Sequence, residues 1–198
     1  MNRSLLFVAL FALSGTAALP GTATAHELAE HGQGQDIDKV NSSITAEAGQ
    51  AYGDLSTVNG SIKIEANARI EDAETVNGSI RAKDDVQAQS LSTVNGSIHV
   101  GERGRIDGKI GTVNGDITVG VGSHVKGGIK VEKPNNNWIG FRIGKQKIPR
   151  IVIGPNAVVD GPLVFEREVK LYVHSSARIG SLRGATVVRF DSATPPKD

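Results

Sequence analysis

The sequence TVNGSI occupies residues 57–62 and recurs without change at residues 75–80 and 93–98. A close copy, TVNGDI, occupies residues 112–117, and a divergent copy, KVNSSI, occupies residues 39–44. The copies recur at an interval of about 18 residues, which is constant except for one extra residue before the last copy. A fixed period of this kind is typical of a repeat protein in which each repeat packs on its sequence neighbours.

The aligned repeats contain apolar columns separated by polar ones. The second column is valine and the sixth is isoleucine: Val40, Val58, Val76, Val94, Val113 and Ile44, Ile62, Ile80, Ile98, Ile117. The eighth column is also apolar, and the seventh is polar, with Thr45, Lys63, Arg81, His99 and Thr118. Apolar–polar–apolar alternation predicts a short strand with one buried face.

Strands this short bury their apolar faces only when neighbouring repeats stack. Each repeat is therefore expected to form one turn of a coil, with every strand paired in parallel to its copies about 4.8 Å above and below. The predicted fold class is an all-β, single-domain parallel β-helix with about 18 residues per turn. The valine and isoleucine columns are expected to form continuous stacks inside the coil.

The Asn-Gly pair of each copy is interpreted as a structural corner of the turn. Asn and Gly both tolerate positive φ, which suits a sharp bend. The stacked amides are expected to form a hydrogen-bonded ladder inside a corner from which water is excluded. The alternative is that TVNG binds a ligand. The predicted corner residues are Asn41, Asn59, Gly60, Asn77, Gly78, Asn95, Gly96, Asn114 and Gly115, with Ser42 in place of Gly in the first copy.

The chain begins with the pattern of a secretory signal peptide, predicted to cover residues 1–25. Arg3 precedes an apolar run at residues 5–13, and an Ala-Thr-Ala cleavage pattern ends at Ala25. An uncleaved anchor is the alternative. Residues 26–38 and 191–198 are predicted to be tails. The coil is predicted to span residues 39–190, with an inserted flap at residues 133–149 where the register breaks.

The composition indicates where the chain works and what it does not bind. It has no cysteine, so it folds without disulfides and offers no thiol for lipid attachment. Removal of Arg3 with the signal peptide leaves equal numbers of basic and acidic residues, which does not favour a nucleic-acid partner. We expect export to the periplasm, with secretion or surface display as alternatives, and no integral membrane segment after cleavage.

The TVNGSI and TVNGDI turns resemble those of a bacterial adhesin-type repeat family of poorly defined function. The stretch IVIGPNAVVDG at residues 151–161 resembles the bactofilin-type, polymer-forming β-helices. The resemblance covers roughly residues 39–190 and implies a right-handed coil. It carries over no catalytic residue. Bactofilins are cytoplasmic, whereas this chain carries an export signal. A left-handed coil is the alternative, because the period also equals the length of three hexapeptides.

The sequence contains little that indicates catalysis, and no catalytic residue, cofactor or structural metal is predicted. Asp54 and Asp72 share a column, as an enzyme that cleaves polysaccharides would require, but the next repeat has no carboxylate there. His26 and His31 lie in the predicted tail, where they offer only a weak metal contact.

Two candidate binding surfaces remain. The outward column of Lys63, Arg81 and His99 would suit an anionic glycan or lipid headgroup, or it is an ordinary solvated face. Trp138, Phe141 and Arg142 in the flap would suit a sugar or a protein partner, or the flap packs on the coil.

We therefore predict an exported, non-enzymatic repeat protein that serves as a structural, adhesin-like or envelope-binding module. Its expected partners are an envelope glycan or protein, or a second copy bound through the coil ends. The alternatives are a polysaccharide-modifying enzyme on the same scaffold and a scaffold that assembles end to end.

Overall fold

The structure is a computed structural model that describes residues 34–134 and 147–196. These residues form twenty β-strands and no α-helix, and every strand pairing is parallel. Paired residues in the early turns lie one repeat apart, as in the pairing of Ile62 with Ile80. The prediction of an all-β parallel β-helix with about 18 residues per turn is confirmed.

One sheet contains one strand from each of eight turns and runs the length of the described coil. Its strands are β2 (Ile44–Ala46), β4 (Ile62–Ile64), β6 (Ile80–Ala82), β8 (Ile98–Val100), β11 (Ile117–Val119), β14 (Arg150–Ile153), β17 (Lys170–His174) and β20 (Val187–Phe190). The sixth and eighth columns point inward from this sheet, and the alternating column between them points outward.

The other sheet contains twelve strands. It begins with β1 (Gln35–Lys39), which is followed by three long strands, β3 (Tyr52–Asn59), β5 (Arg69–Asn77) and β7 (Gln87–Asn95). The later turns divide the same path into two shorter strands: β9 (Arg105–Ile106), β10 (Ile110–Asn114), β12 (His124–Val125), β13 (Ile129–Val131), β15 (Val158–Val159), β16 (Leu163–Phe165), β18 (Arg178–Ile179) and β19 (Leu182–Arg183). Both β9 and β10 pair with β7, so each of these later turns has three strand runs in all.

The core consists of stacked columns of aliphatic side chains. The sixth column is at most 1 % exposed at every repeat, and the eighth column is equally buried. The second column corrects our prediction, because its valines point outward and Val40 is 52 % exposed. In β3 the inward residues are Leu55 and Thr57. Since neighbouring side chains alternate along a strand, the valine after Thr57 must face outward. Threonine, and not valine, therefore points inward at the start of the motif.

The ends and the insertion differ in detail from the predicted boundaries. The first strand begins at Gln35, inside the segment assigned to the N-terminal tail, and Ile37 packs against the core. Ile117 pairs with Ile151, much further along the chain than one repeat, so extra chain enters at the corner of this turn. Residues 133–134, 147–149 and 191–196 form no strand.

The predicted signal peptide and Trp138, Phe141 and Arg142 lie outside the described residues. In the described ranges, no helix has the length and apolar content needed to cross a membrane.

Candidate functional site

The buried threonine of each corner holds two successive turns together. The Oγ1 atom of Thr57 donates to the carbonyl of Ser42 at 2.9 Å, and that of Thr75 donates to the carbonyl of Gly60 at 2.8 Å. Thr93 donates to the carbonyl of Gly78 in the same way. Because these hydroxyls are buried, a hydrogen bond is needed to offset their desolvation. Threonine fills the core with its methyl group and satisfies a carbonyl of the turn below.

The glycines of the corner are required by close approach and not by positive φ. A Cβ added to Gly60, Gly78, Gly96 or Gly115 would overlap the backbone carbonyl of the corner below, and neither these glycines nor the asparagines before them have positive φ. This corrects our reading of the Asn-Gly bend. Positive φ occurs at a second corner of the turn, at Gly49, Asn67, Asp85, Arg103, Gly122 and Asn156.

The asparagines form the predicted ladder, but they form it on the outside of the coil. Nδ2 of Asn77 donates to Oδ1 of Asn59 at 2.9 Å, and Nδ2 of Asn95 donates to Oδ1 of Asn77 at 3.0 Å. The same bond links Asn59 to Asn41 and Asn114 to Asn95. The prediction of a ladder is confirmed, whereas its expected place inside the corner is wrong. Asn41, Asn59, Asn77 and Asn95 are exposed. The last three each end a long strand, and the chain then bends away.

Arg167 covers the upper end of this ladder. Because every amide donates downward, the oxygen of Asn114 is the last acceptor. Nη1 of Arg167 donates to this oxygen at 2.6 Å and to the carbonyl of Val113 at 3.1 Å. Nη2 of the same guanidinium donates to the carbonyl of Lys147, so it also ties down the end of the insertion. Sequence reasoning missed this role, because the insertion separates Arg167 from the repeat.

The serine of the motif completes the corner. Oγ of Ser43 accepts the backbone N–H of Ser61 at 3.1 Å, and Oγ of Ser61 accepts that of Ser79 at 3.3 Å. Ser97 accepts from Asp116 in the same way, and Asp116 in turn accepts the N–H of Arg150 at 2.9 Å. In each copy of TVNGSI, the valine is the one residue whose side chain neither joins two turns nor lies in the core, and the glycine acts through its backbone.

Replacing Asn77 with Ala is expected to lower the free energy of unfolding by about 1 kcal/mol. The change removes two exposed ladder bonds, and water replaces part of each. Urea unfolding followed by circular dichroism measures the effect. Glu71→Ala, at an exposed position of the same strand, is the control, with an expected change within about 0.5 kcal/mol. Equal stability of the two variants would show that the ladder contributes nothing.

The predicted basic column lies where the sequence placed it. Lys63, Arg81 and His99 occupy the central positions of three adjacent strands, pair in register and are all exposed. Lys83 lies in the neighbouring column of the same outer surface. We call these four residues the basic face. Nζ of Lys83 lies 2.5 Å from a carboxylate oxygen of Glu65, and Lys63 contacts the other oxygen. Hydrogen bonds from Lys63 and then Lys83 lower the pKa of Glu65.

The outer surface of the twelve-stranded sheet is acidic over the first turns. Oδ1 of Asp36 accepts the N–H of Asp54 at 2.9 Å, and Oδ1 of Asp54 accepts the N–H of Asp72 at 3.2 Å. Ser90 donates to Asp72 at 2.5 Å. Asp54 and Asp72 therefore stack as their shared column indicated, and they satisfy backbone N–H groups and a hydroxyl of neighbouring turns.

Glu74, which sequence reasoning missed, lies beside this acidic column. It is half-buried, and its register partners are Ser56 and Ser92. Burial, followed by the charges of Asp72 and Asp54, raises the pKa of Glu74 to about 7, against a smaller lowering by Lys109. Its position in an outward column was visible in the sequence, but its burial was not.

His124 and His174 have structural surroundings, unlike His99 on the basic face. Nε2 of His124 lies 2.5 Å from Oδ2 of Asp160, and the ring of His174 meets that of Phe190 edge-on at 5.1 Å. No group of three or more His, Asp or Glu side chains in residues 34–134 and 147–196 is arranged to hold a metal ion.

An apolar cluster occupies the continuation of the basic column in the last turns. The seventh column, which holds Lys63, Arg81 and His99, continues through Thr118 to Val152 and Tyr172. These last two residues are buried together with Phe190 outside the main core. The guanidinium of Arg150 lies 4.7 Å from the ring centroid of Tyr172 and donates to the carbonyl of Pro196. Among the described residues, the basic row of the seventh column is therefore confined to the turns of Lys63, Arg81 and His99, while Arg150 and Lys170 lie in a neighbouring column.

Comparison with known proteins adds no relative to this description. No protein-family model, no curated protein and no solved structure matches the chain.

Proposed function

We propose that the protein is an exported, non-enzymatic β-helical module that binds an anionic polymer of the cell envelope through the basic face. The observation that carries the proposal is the in-register stacking of Lys63, Arg81 and His99 on the outside of adjacent strands. The resemblance of the TVNG turns to adhesin-type repeats supports the same class of function, and the signal-peptide pattern supports export to the periplasm.

The geometry favours a linear ligand. Stacked strands repeat a side-chain position about every 4.8 Å along the coil axis, so the three side chains form a straight row. Like charges directly opposite each other on neighbouring strands repel. A polymer with regularly spaced carboxylates that lay along the row would relieve this repulsion at several positions at once. Because the row lies on short strands of a stacked sheet, little ordering of the protein is required on binding.

Charge on the neighbouring column tunes this attraction. Glu65 lies between Lys63 and Lys83 and offsets part of their charge. Arg81 lies in the middle of the row and is the residue that we expect to contribute most to binding. A guanidinium presents paired donors that match the two oxygens of a carboxylate.

The stacked aspartates on the outer surface of the twelve-stranded sheet have structural hydrogen-bond partners, which supports a role without catalysis. Asp36 and Asp54 accept backbone N–H groups of the next turn, so these oxygens serve the stacking of the coil. A polysaccharide-cleaving enzyme would need one carboxyl group to donate a proton and another to act as a base or nucleophile. The acidic column instead resembles the serines of the repeated motif, whose Oγ atoms accept backbone N–H groups of the next turn.

The test compares two variants that lose the same charge from different surfaces. We expect Lys63→Gln/Arg81→Gln to weaken binding of alginate, a linear polyuronate, by about tenfold or more, measured by isothermal titration calorimetry at low salt. The control is Arg69→Gln/Arg105→Gln, which removes two exposed arginines from one column of the twelve-stranded sheet. We expect the control to bind as the wild-type chain does.

Three results would contradict the proposal. Absence of alginate binding by the wild-type chain, or an equal loss in both variants, would show that the basic face is not the binding surface. Shortening of the alginate chains during incubation would overturn the non-enzymatic assignment and favour the polysaccharide-modifying alternative. Replacement of Asp54 and Asp72 together would then identify the catalytic carboxylates.

A further inference from the structure

One inward column of the coil ends in a charged residue. The eighth column is buried and apolar in every described turn from Ala46 to Val173: Ala46, Ile64, Ala82, Val100, Val119, Ile153 and Val173. In the last strand the residue paired with Val173 is Arg189. A side chain at this position of the earlier turns points into the core, so Arg189 lies where the next aliphatic residue would stand.

The guanidinium of Arg189 donates hydrogen bonds to backbone carbonyls at the end of the coil. Its Nη1 donates to the carbonyl of His174 at 3.1 Å and to that of Ala177 at 3.4 Å. In the turns below, the carbonyls equivalent to that of Ala177 accept a backbone N–H from the next turn. Ala157 accepts from Arg178 at 3.0 Å, and Ser123 accepts from Val158 at 2.8 Å. Arg189 thus supplies to Ala177 the donor that a ninth turn would supply.

The other residues at this end of the coil still form a surface on which a further turn could stack. Ile179, Leu182 and Val187 are only half-buried, although they pack against the core as their counterparts in lower turns do. The final strands β18, β19 and β20 are each the last member of their row in the described sheets. Such strand edges are templates for pairing with another chain unless a charge or a cover prevents it.

The first strand of the described coil complements this end. The core column that finishes at Leu182 starts at Ile37, and the outward column that finishes at Arg183 starts at Asp38. A second copy that continued the coil in register would therefore set Ile37 on Leu182 and Asp38 beside Arg183. Opposite charges on neighbouring strands favour such a pairing.

We propose that the C-terminal end of the coil is an interaction surface for the N-terminal end of a second copy of this chain, and that Arg189 keeps it closed. An incoming strand would have to bury the guanidinium or displace it from its two carbonyls, and an unpaired buried charge is strongly unfavourable. The wild-type chain is therefore a single coil in solution. This inference is independent of the proposed function, because it involves neither the basic face nor a ligand.

The test is the molar mass of the chain from residue 26 onward, measured by light scattering over a wide concentration range. The mass of the wild-type chain is expected to stay constant at the monomer value. The mass of Arg189→Val is expected to rise steadily with concentration, because the variant continues the aliphatic column. Arg178→Val, which removes an exposed arginine from the same end, is the control and is expected to remain monomeric.

A charge exchange checks the arrangement of the two copies. Adding Asp38→Arg to the Arg189→Val chain is expected to reduce association, since it places two arginines together. Further addition of Arg183→Asp is expected to restore it. A folded Arg189→Val chain of constant mass would overturn the proposal, as would growth of the wild-type chain or a mass that stops at the dimer. Should circular dichroism show that Arg189→Val is unfolded, Arg189→Met, which keeps the aliphatic length without the charge, takes its place with the same expected results.

Discussion

Replacing Gly78 with Ala is expected to lower the free energy of unfolding by about 3 kcal/mol or more. The added Cβ would overlap the carbonyl of Gly60 in the turn below, and this contact involves backbone on both sides. No side-chain rotation can relieve it, so the two turns must separate at the corner. Separation would lengthen the hydrogen bond from Thr75 to the carbonyl of Gly60 and the neighbouring bond of the asparagine ladder.

Gly49→Ala is the matched control for this experiment. Gly49 has a φ of 70°, and a Cβ added there would meet no atom within 4 Å. The cost is then only that of the left-handed backbone, about 1 kcal/mol. The same position of later turns already holds Asn67 and Arg103 at positive φ. Urea unfolding of both variants measures the difference. Equal losses would show that close approach of the turns is not what requires glycine at the Asn-Gly corner.

Replacing Glu74 with Gln is expected to stabilise the protein above neutral pH. The pKa of Glu74 is raised from 4.5 to about 7, first by burial and then by the charges of Asp72 and Asp54. Between these two values the folded chain holds a proton that the unfolded chain has lost. Wild-type stability therefore falls as the pH rises through this window. The full shift corresponds to about 3 kcal/mol, and partial exposure to solvent reduces our expectation to about 1–2 kcal/mol.

The measurement is the difference in unfolding free energy between Glu74→Gln and the wild-type chain, from denaturant unfolding at several pH values between 4 and 8. The variant should match the wild-type chain at about pH 4, where both side chains are neutral, and exceed it at about pH 8. Glu71→Gln, at an exposed position of the same strand, controls for the loss of one negative charge. A difference that does not change with pH would contradict the raised pKa of Glu74.

The period and the inward columns of the coil were predictable from the sequence. The sixth and eighth columns hold aliphatic residues in each repeat, with a polar residue between them, and this alternation specifies a strand and its buried face. The constant spacing of the copies then specifies parallel, in-register stacking. The outward direction of the basic column was predictable from the same alternation, because a residue between two inward positions must point outward.

The corner could not be predicted as well. Both Thr57 and Val58 are compatible with a core position, and only the point at which the strand begins to bend decides which of them is inward. The sequence resemblance of the copies does not locate that point. The exposure of Asn59 and the half-buried state of Glu74 depend on the same geometry.

The contacts of Arg167 and Arg189 were harder to predict, because neither residue lies in a copy of the TVNG motif. Arg167 reaches Asn114 across the insertion, from far along the chain. The position of Arg189 in an apolar column becomes visible only from the pairing of the last strand with β17.

The sequence by itself determined the fold class, the length of a turn and the residues that line most of the core, because these depend on local alternation repeated at a constant interval. The tertiary structure alone decided which side of each corner faces water, how the amide ladder ends at Arg167 and how Arg189 closes the last turn. Those features depend on the approach of backbone and side chains from different turns, and the distances between turns are set only when the whole coil has formed.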